Sequence, residues 1–235
     1  MMRVLFLFKI IYGMIFSILK SEDFIMEMKE ERIEDFLNNL SSSAPTPGGG
    51  GAAGLVAAVG MALGDMVLSL TTGKKKYAEY QEEIEVLMAR ADELQEELLL
   101  AMDKDAKAFE PLAKAYALPK ETFEEVDKRN QVMEEALYDA AKAPLEMMEV
   151  IVKAMHVIER VAEIGSKLAI SDAGCGIQMC GAALNSASLN VYINTKMMND
   201  RLQAVRFEKE AEELLLEGAH VLARTYQNVL NSIRS

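Results

Sequence analysis

The chain has no tryptophan, two cysteines, two histidines and five prolines in 235 residues, and aromatic side chains make up only 6%. So few aromatics and prolines, beside abundant Ala, Leu, Glu, Lys and Met, predict helix rather than sheet. Cys175 and Cys180 offer no disulfide framework. Five residues apart on a helix, they diverge by roughly 140°, so both are expected as small buried apolar residues of a reducing compartment. His156 and His220 sit alone in helical patterns, which leaves a metal centre without a ligand set, and none is expected. Positive charge is scarce as well: 25 Lys and Arg against 37 Asp and Glu give a net charge of -12. That balance excludes a nucleic-acid binder, whose affinity rests on many phosphate contacts. An anionic small ligand would need a local positive patch.

What is present is apolar and aliphatic, chiefly Ala, Leu, Val, Ile and Met. Hydrophobic residues reach 51%, 16 of them Met, enough to build one sizeable core. Residues 1–25 differ from the rest. They are apolar with Arg3, Lys9 and Lys20, and they lack both a cleavage motif and an uninterrupted run long enough to span a bilayer. They are expected to be a dispensable extension or the product of an upstream start, with a membrane anchor as the second reading. Residues 26–235 are expected to form one helical domain.

Helical spacing of Ile33, Phe36, Leu37 and Leu40 predicts a first short helix. Three serines and APTPGGGG then break the pattern. A nearly all-apolar helix is predicted from about Ala52 to Thr72, with Gly54, Gly60 and Gly64 allowing close approach of a neighbour. Asp65 and these glycines fit a buried core helix better than a membrane span. Gly73 suits its C-terminal cap, followed by Lys74, Lys75 and Lys76. A long helix follows from Tyr77 to about Leu118, with Ile84, Leu87, Leu94 and Leu98 at heptad-like spacing. Thr122 and Glu125 form a capping box for a helix from Phe123 to Ala143, and Pro144 is expected to start another, through Ile164. Ser171-Asp172 marks a helix reaching Met198, and Asn199-Asp200 separates it from a last helix ending near Ile233. The fold class is all-α, a bundle of long helices.

Several polar groups stand out in this frame. Asn190 and Asn194 lie four apart, on one helix face, in an otherwise small and apolar segment; they are either a helix–helix hydrogen-bond pair or amides facing a ligand. Asp103 and Asp105 are two apart, about 200° around a helix, so only one of them can face a given pocket. Lys74–Lys76 form either a solvated helix end or an anion-binding corner. They are not a Walker-type phosphate loop, because Leu68 stands where its first glycine belongs and Lys75 where its Ser or Thr belongs.

Taken together, APTPGGGGAAGLVAAVGMALGDMVLSLTTGKKKY, DKDAKAF, ALPKETFEEVDKR, AAKAPLEMMEV and SDAGCGIQMCGAALNSASLNVYINTKMMND resemble, in that order, the cyclodeaminase/cyclohydrolase family of folate one-carbon enzymes. The resemblance runs from about residue 30 to 201 and leaves out residues 1–25. It implies an all-helical subunit that dimerises through helix faces, with a folate site lined by these motifs. The implied activity is hydrolysis of 5,10-methenyltetrahydrofolate to 10-formyltetrahydrofolate or, alternatively, 5-formiminotetrahydrofolate cyclodeaminase activity that releases ammonia. Nothing resembles a formiminotransferase, which favours the hydrolase and points to a separate transferase or other folate enzyme as a possible partner. No cofactor is implied beyond the tetrahydrofolate substrate, and the cytoplasm is the expected compartment.

On this resemblance Asp105 is the acid/base group, with Asp103 as the fallback, and Lys75 assists. Lys74, Lys75 and Lys76 hold the folate's glutamate carboxylates. Pro45, Thr46, Pro47, Gly48, Gly49 and Gly50 let the pterin lie on bare backbone, Asn190 and Asn194 meet its edges, and Asp172 caps its helix beside the site. A non-catalytic dimerisation scaffold is the competing reading. It uses the same glycines and heptads but gives no role to polar groups set inside apolar helices.

Overall fold

A computed structural model describes residues 27–235, so the apolar extension lies outside the described residues. Every regular element among them is helical. A 3-10 turn, Met28–Glu30, leads to α1 (Ile33–Leu40), α2 (Gly48–Ser69), α3 (Gln81–Tyr116), α4 (Phe123–Ile164), α5 (Ile170–Thr195) and α6 (Arg201–Arg234), with further 3-10 turns at Lys75–Tyr80 and Lys167–Ala169. The all-α bundle is therefore present.

Helices α2, α3, α4 and α5 pack around one core, each against the next, and α6 covers the outside of α4 and α5. The heptad-like leucines of α3 point inward: Ile84, Leu94 and Leu98 are fully buried, meeting Met61 and Leu68 of α2 and Met147, Met148, Ile151 and Met155 of α4. Unbranched Met suits this irregular space between long helices. By length and composition α2 could cross a membrane, but here it packs against three other helices.

Glycines set how near α2 comes to α5. A Cβ on Gly60 would stand 2.8 Å from the Gly176 carbonyl and 2.7 Å from Cys180 Sγ, and one on Gly176 would stand 2.6 Å from the Gly60 carbonyl. The two backbones touch, and neither position has room for a methyl group.

Besides shifts at the start of α3, which is Gln81 and not Tyr77, and at the end of α5, which is Thr195 and not Met198, three boundaries differ from expectation. Helix α2 begins at Gly48 rather than Ala52, so the glycine run is its first turn. It ends at Ser69 with Leu70 as cap; Gly73 is not the cap but takes a left-handed φ of 71° in the following turn. The third difference is that α4 runs unbroken through Pro144, which was expected to start a new helix. An internal proline has no N–H for the carbonyl four residues earlier, here Ala140. Asn194 supplies the missing donor: its Nδ2 donates to the Ala140 carbonyl at 2.7 Å and to the Asn190 carbonyl at 2.9 Å. Pro111 in α3 stands four residues after Lys107, an exposed residue. The Thr122–Glu125 capping box at the start of α4 is present as expected.

Candidate active site

The first turn of α2 is the centre of the site. Gly48 has φ 55°, a left-handed value that strongly favours glycine. Its cap residue, Pro47, follows a cis peptide bond and offers no side-chain acceptor. The first intrahelical bond runs from the Gly51 amide to the Pro47 carbonyl. The amides of Gly48, Gly49 and Gly50 therefore lack intrahelical partners and form the positive end of a 22-residue helix.

Two side chains flank this turn. From α3, the Asp105 carboxyl group lies directly against Gly50, in the space a Cβ would fill. Burial alone lifts its pKa, from 3.8 to about 6. From α5, the Asn190 amide lies 3.5 Å from where a Cβ on Gly49 would be; its Nδ2 also donates to the Ser186 carbonyl at 3.1 Å. A groove of about 380 Å³ opens on this side, lined by Gly49, Ala52, Val56, Ser186, Leu189 and Asn190. The glycines thus have two uses: Gly50 makes room for the acid, and Gly49 leaves backbone open to the groove.

Asp103 faces elsewhere, as the 200° between the two carboxylates requires. It is 7% exposed, and its Oδ1 accepts a hydrogen bond from the Met28 amide at 3.0 Å. That bond fastens the segment before α1 to α3, while Oδ2 is buried with no partner among the described residues. Asn194 is likewise 7% exposed, its amide hydrogens engaged by Ala140 and Asn190.

Other residues singled out in the sequence lie far away. Lys74, Lys75 and Lys76 follow the C-terminus of α2, whose 22 residues rise about 33 Å. Within one chain they stand at the opposite end from Gly49 and Asp105. Asp172 shares that far end, 18 residues or about 27 Å along α5 from Asn190. It does not cap α5, since the cap position is Ala169 and Asp172 sits in the first turn. Cys175 is exposed, against the expectation that both cysteines are buried; only Cys180 is. Among the described residues no cluster of His, Cys, Asp or Glu is placed to hold a metal ion.

Residues 32–213 match the family model described as formiminotransferase-cyclodeaminase. The chain belongs to that family. A protein of Methylorubrum extorquens named methenyltetrahydrofolate cyclohydrolase is 42% identical over 203 residues, 86% of this chain and 98% of that protein. The formimidoyltransferase-cyclodeaminase of Rattus norvegicus is 29% identical over 77% of this chain, which spans only 34% of the rat protein. A crystal structure of formiminotetrahydrofolate cyclodeaminase from Thermotoga maritima has the same fold, with a TM-score of 0.74 at 30% identity, covering 88% of this chain and 98% of that one. The formiminotransferase-cyclodeaminase family is thus met both inside long proteins and as chains scarcely larger than this domain. Ser186 and Leu189, which line the groove, were passed over as candidates in the sequence. Their signal is position on α5: Ser186 stands one helical turn before Asn190, and Leu189 directly precedes it.

Proposed function

We propose that the chain is a folate one-carbon enzyme that hydrolyses 5,10-methenyltetrahydrofolate to 10-formyltetrahydrofolate. The observation that carries this reading is the 42% identity, across nearly the whole length, with the protein of that name from Methylorubrum extorquens. The geometry supplies fitting chemistry. The substrate has a cationic carbon bridging N5 and N10. Water adds to that carbon, the C–N5 bond breaks, N5 gains a proton, and one proton leaves to solvent. Asp105 is the group for both transfers: it takes a proton from water as the C–O bond forms and returns one to N5. A pKa of about 6 suits a group that must accept and then donate near neutrality. Its negative form also stabilises the adjacent cation. The bare first turn of α2 offers amide donors and a flat glycine surface to the pterin, with Asn190 at its edge. Asp103 and Asn194 hold the helices that carry these groups, and Pro45–Pro47 shape the entry to α2.

The Thermotoga maritima structure favours a second reading, 5-formiminotetrahydrofolate cyclodeaminase. In that reaction N10 attacks the formimino carbon and gives up its proton. The bond from that carbon to the former imino nitrogen breaks as Asp105 protonates the nitrogen, releasing ammonia and leaving the methenyl cation. The Thermotoga maritima chain is almost wholly this domain, so a cyclodeaminase of this family need not carry a fused transferase. Neither reaction requires a cofactor. The chain acts in the cytoplasm as a homodimer, and the cyclodeaminase reading adds a separate formiminotransferase as partner. Purified protein offered each folate separately tests both: loss of the methenyl chromophore marks the hydrolase and its appearance the cyclodeaminase. No change with either substrate rejects the reading.

A further inference from the structure

The outer face formed by α2 and α5 is apolar and uncovered. On α2, Val56, Val59, Met66 and Leu70 are 38–47% exposed; on α5, Leu189 and Ile193 are 67% and 56% exposed. Spacings of three and four residues set each group in one stripe along its helix. Soluble monomers rarely leave a contiguous apolar patch of this extent open. Two adjacent helices about 30 Å long and about 9 Å apart make a face roughly 30 by 20 Å. Buried on two copies, that is on the order of 1,200 Å², the lower end of stable interfaces.

The two ends of the face differ in charge. One end holds the groove at Gly49 and Asn190, with Asp105 beside it. At the other, Lys74, Lys75 and Lys76 are all exposed and make no ion pair among the described residues. Lys167 joins them there, its amide donating to Tyr77 Oη at 3.2 Å.

The geometry points to a second copy of this chain covering the α2/α5 face in the reverse direction, so that its Lys74–Lys76 stand over the groove and complete the site. A two-fold axis lying in the face and crossing the helices produces this arrangement, and every groove then receives lysines from the other subunit. An axis running along the helices would instead stack both lysine clusters at one end, like charge on like. Reversed packing also opposes the dipoles of the two α2 helices. The apolar residues 1–25 are a poorer occupant. The described chain enters at Met28 against Gly51, two residues or about 200° around α2 from Gly49 in the groove. The role of the lysines rests on the folate reading: each cluster binds the anionic tail of a folate whose ring lies in the other subunit's groove.

Two experiments on the full chain test the assembly and the shared site separately. In a Cys175→Ala background, Lys75→Cys and Leu189→Cys are introduced together, and a short bis-maleimide is applied. Dimers joined between position 75 of one copy and position 189 of the other are expected. Joining of position 75 to itself across two copies, or a monomer on sedimentation, overturns the proposal, whether the face is then bare or covered by residues 1–25. For the site, differently tagged chains are co-expressed, one carrying Asp105→Asn and the other Lys74→Ala, Lys75→Ala and Lys76→Ala. Each parent homodimer is deficient, the lysine variant chiefly through a raised KM for polyglutamylated substrate. The mixed dimer contains one intact site and recovers about half the wild-type activity per dimer. A dead mixed dimer, or a lysine variant with normal KM, overturns the shared site. Cross-linked wild-type-like dimers that turn over neither folate would uphold the assembly and reject the folate reading instead.

Discussion

The hydrogen bond from Asn194 to Ala140 gives the sharpest test of how this fold is held. Pro144 removes the donor that Ala140 would otherwise meet, and Asn194, 54 residues away on α5, restores it at 2.7 Å. Asn194→Ala leaves a buried carbonyl unpaired, a loss of about 1–3 kcal/mol. At about 2–4 °C per kcal/mol for a chain of this size, melting should fall by roughly 4–8 °C for a mid-range loss. The second half of the cycle isolates the cause. Pro144→Ala returns an N–H to α4 within bonding reach of Ala140, so in that background Asn194→Ala should cost about 1 kcal/mol less than in the wild type. Thermal or urea unfolding of the four proteins measures the coupling. Equal costs in both backgrounds would refute the repair. A large KM change with unchanged stability would return Asn194 to the substrate.

Asp105→Asn should lower turnover by about 10²-fold or more at neutral pH, while raising stability. A carboxyl whose folded pKa is raised to about 6 from 3.8 destabilises the native state once ionised. The wild type should therefore lose up to about 3 kcal/mol as pH rises from 4 to 7. The Asn variant should lack that slope, so its melting advantage should vanish near pH 4 and reach its plateau above pH 7. An advantage independent of pH would reject the raised pKa. Gly50→Ala puts a methyl group where the Asp105 carboxylate lies; turnover should drop nearly as far as with the acid removed, though the acid is still present, and steady-state assays with folate would show it. Gly60→Ala drives a methyl group onto the Gly176 backbone and should cost about 1–3 kcal/mol, measured by denaturant midpoint. A neutral result there would mean that α2 and α5 are not in contact.

Much of this structure was legible in residue order because its causes are local. The capping box at Thr122 and Glu125, the buried Ile84, Leu94 and Leu98, and the break at Asn199-Asp200 each follow from neighbours a few positions apart. The path through Pro144 was not legible, since the group that permits it comes from another helix. The contact of Gly50 with Asp105 was hidden for the same reason: no spacing rule links residues on two antiparallel helices. The distance from Gly49 to Lys75 was open to arithmetic, because a helix of this length must carry its two ends far apart. What residue order did not show was the uncovered apolar face of α2 and α5 that motivates the proposal of a second subunit. The exposure of Cys175 belongs with this, because it lies on the stripe of α5 left uncovered in one chain.

The bond between Met28 and Asp103 has a practical consequence for anyone who trims or tags this protein. Asp103 sits two residues before Asp105 on the same helix, so this bond fastens the amino-terminal strap to the helix that carries Asp105. A version that starts at Met28 would present an ammonium group to that carboxylate in place of an amide, and one that starts after Glu30 would present nothing. Affinity handles are better carried on the far end of α6, where Ser235 ends the last helix.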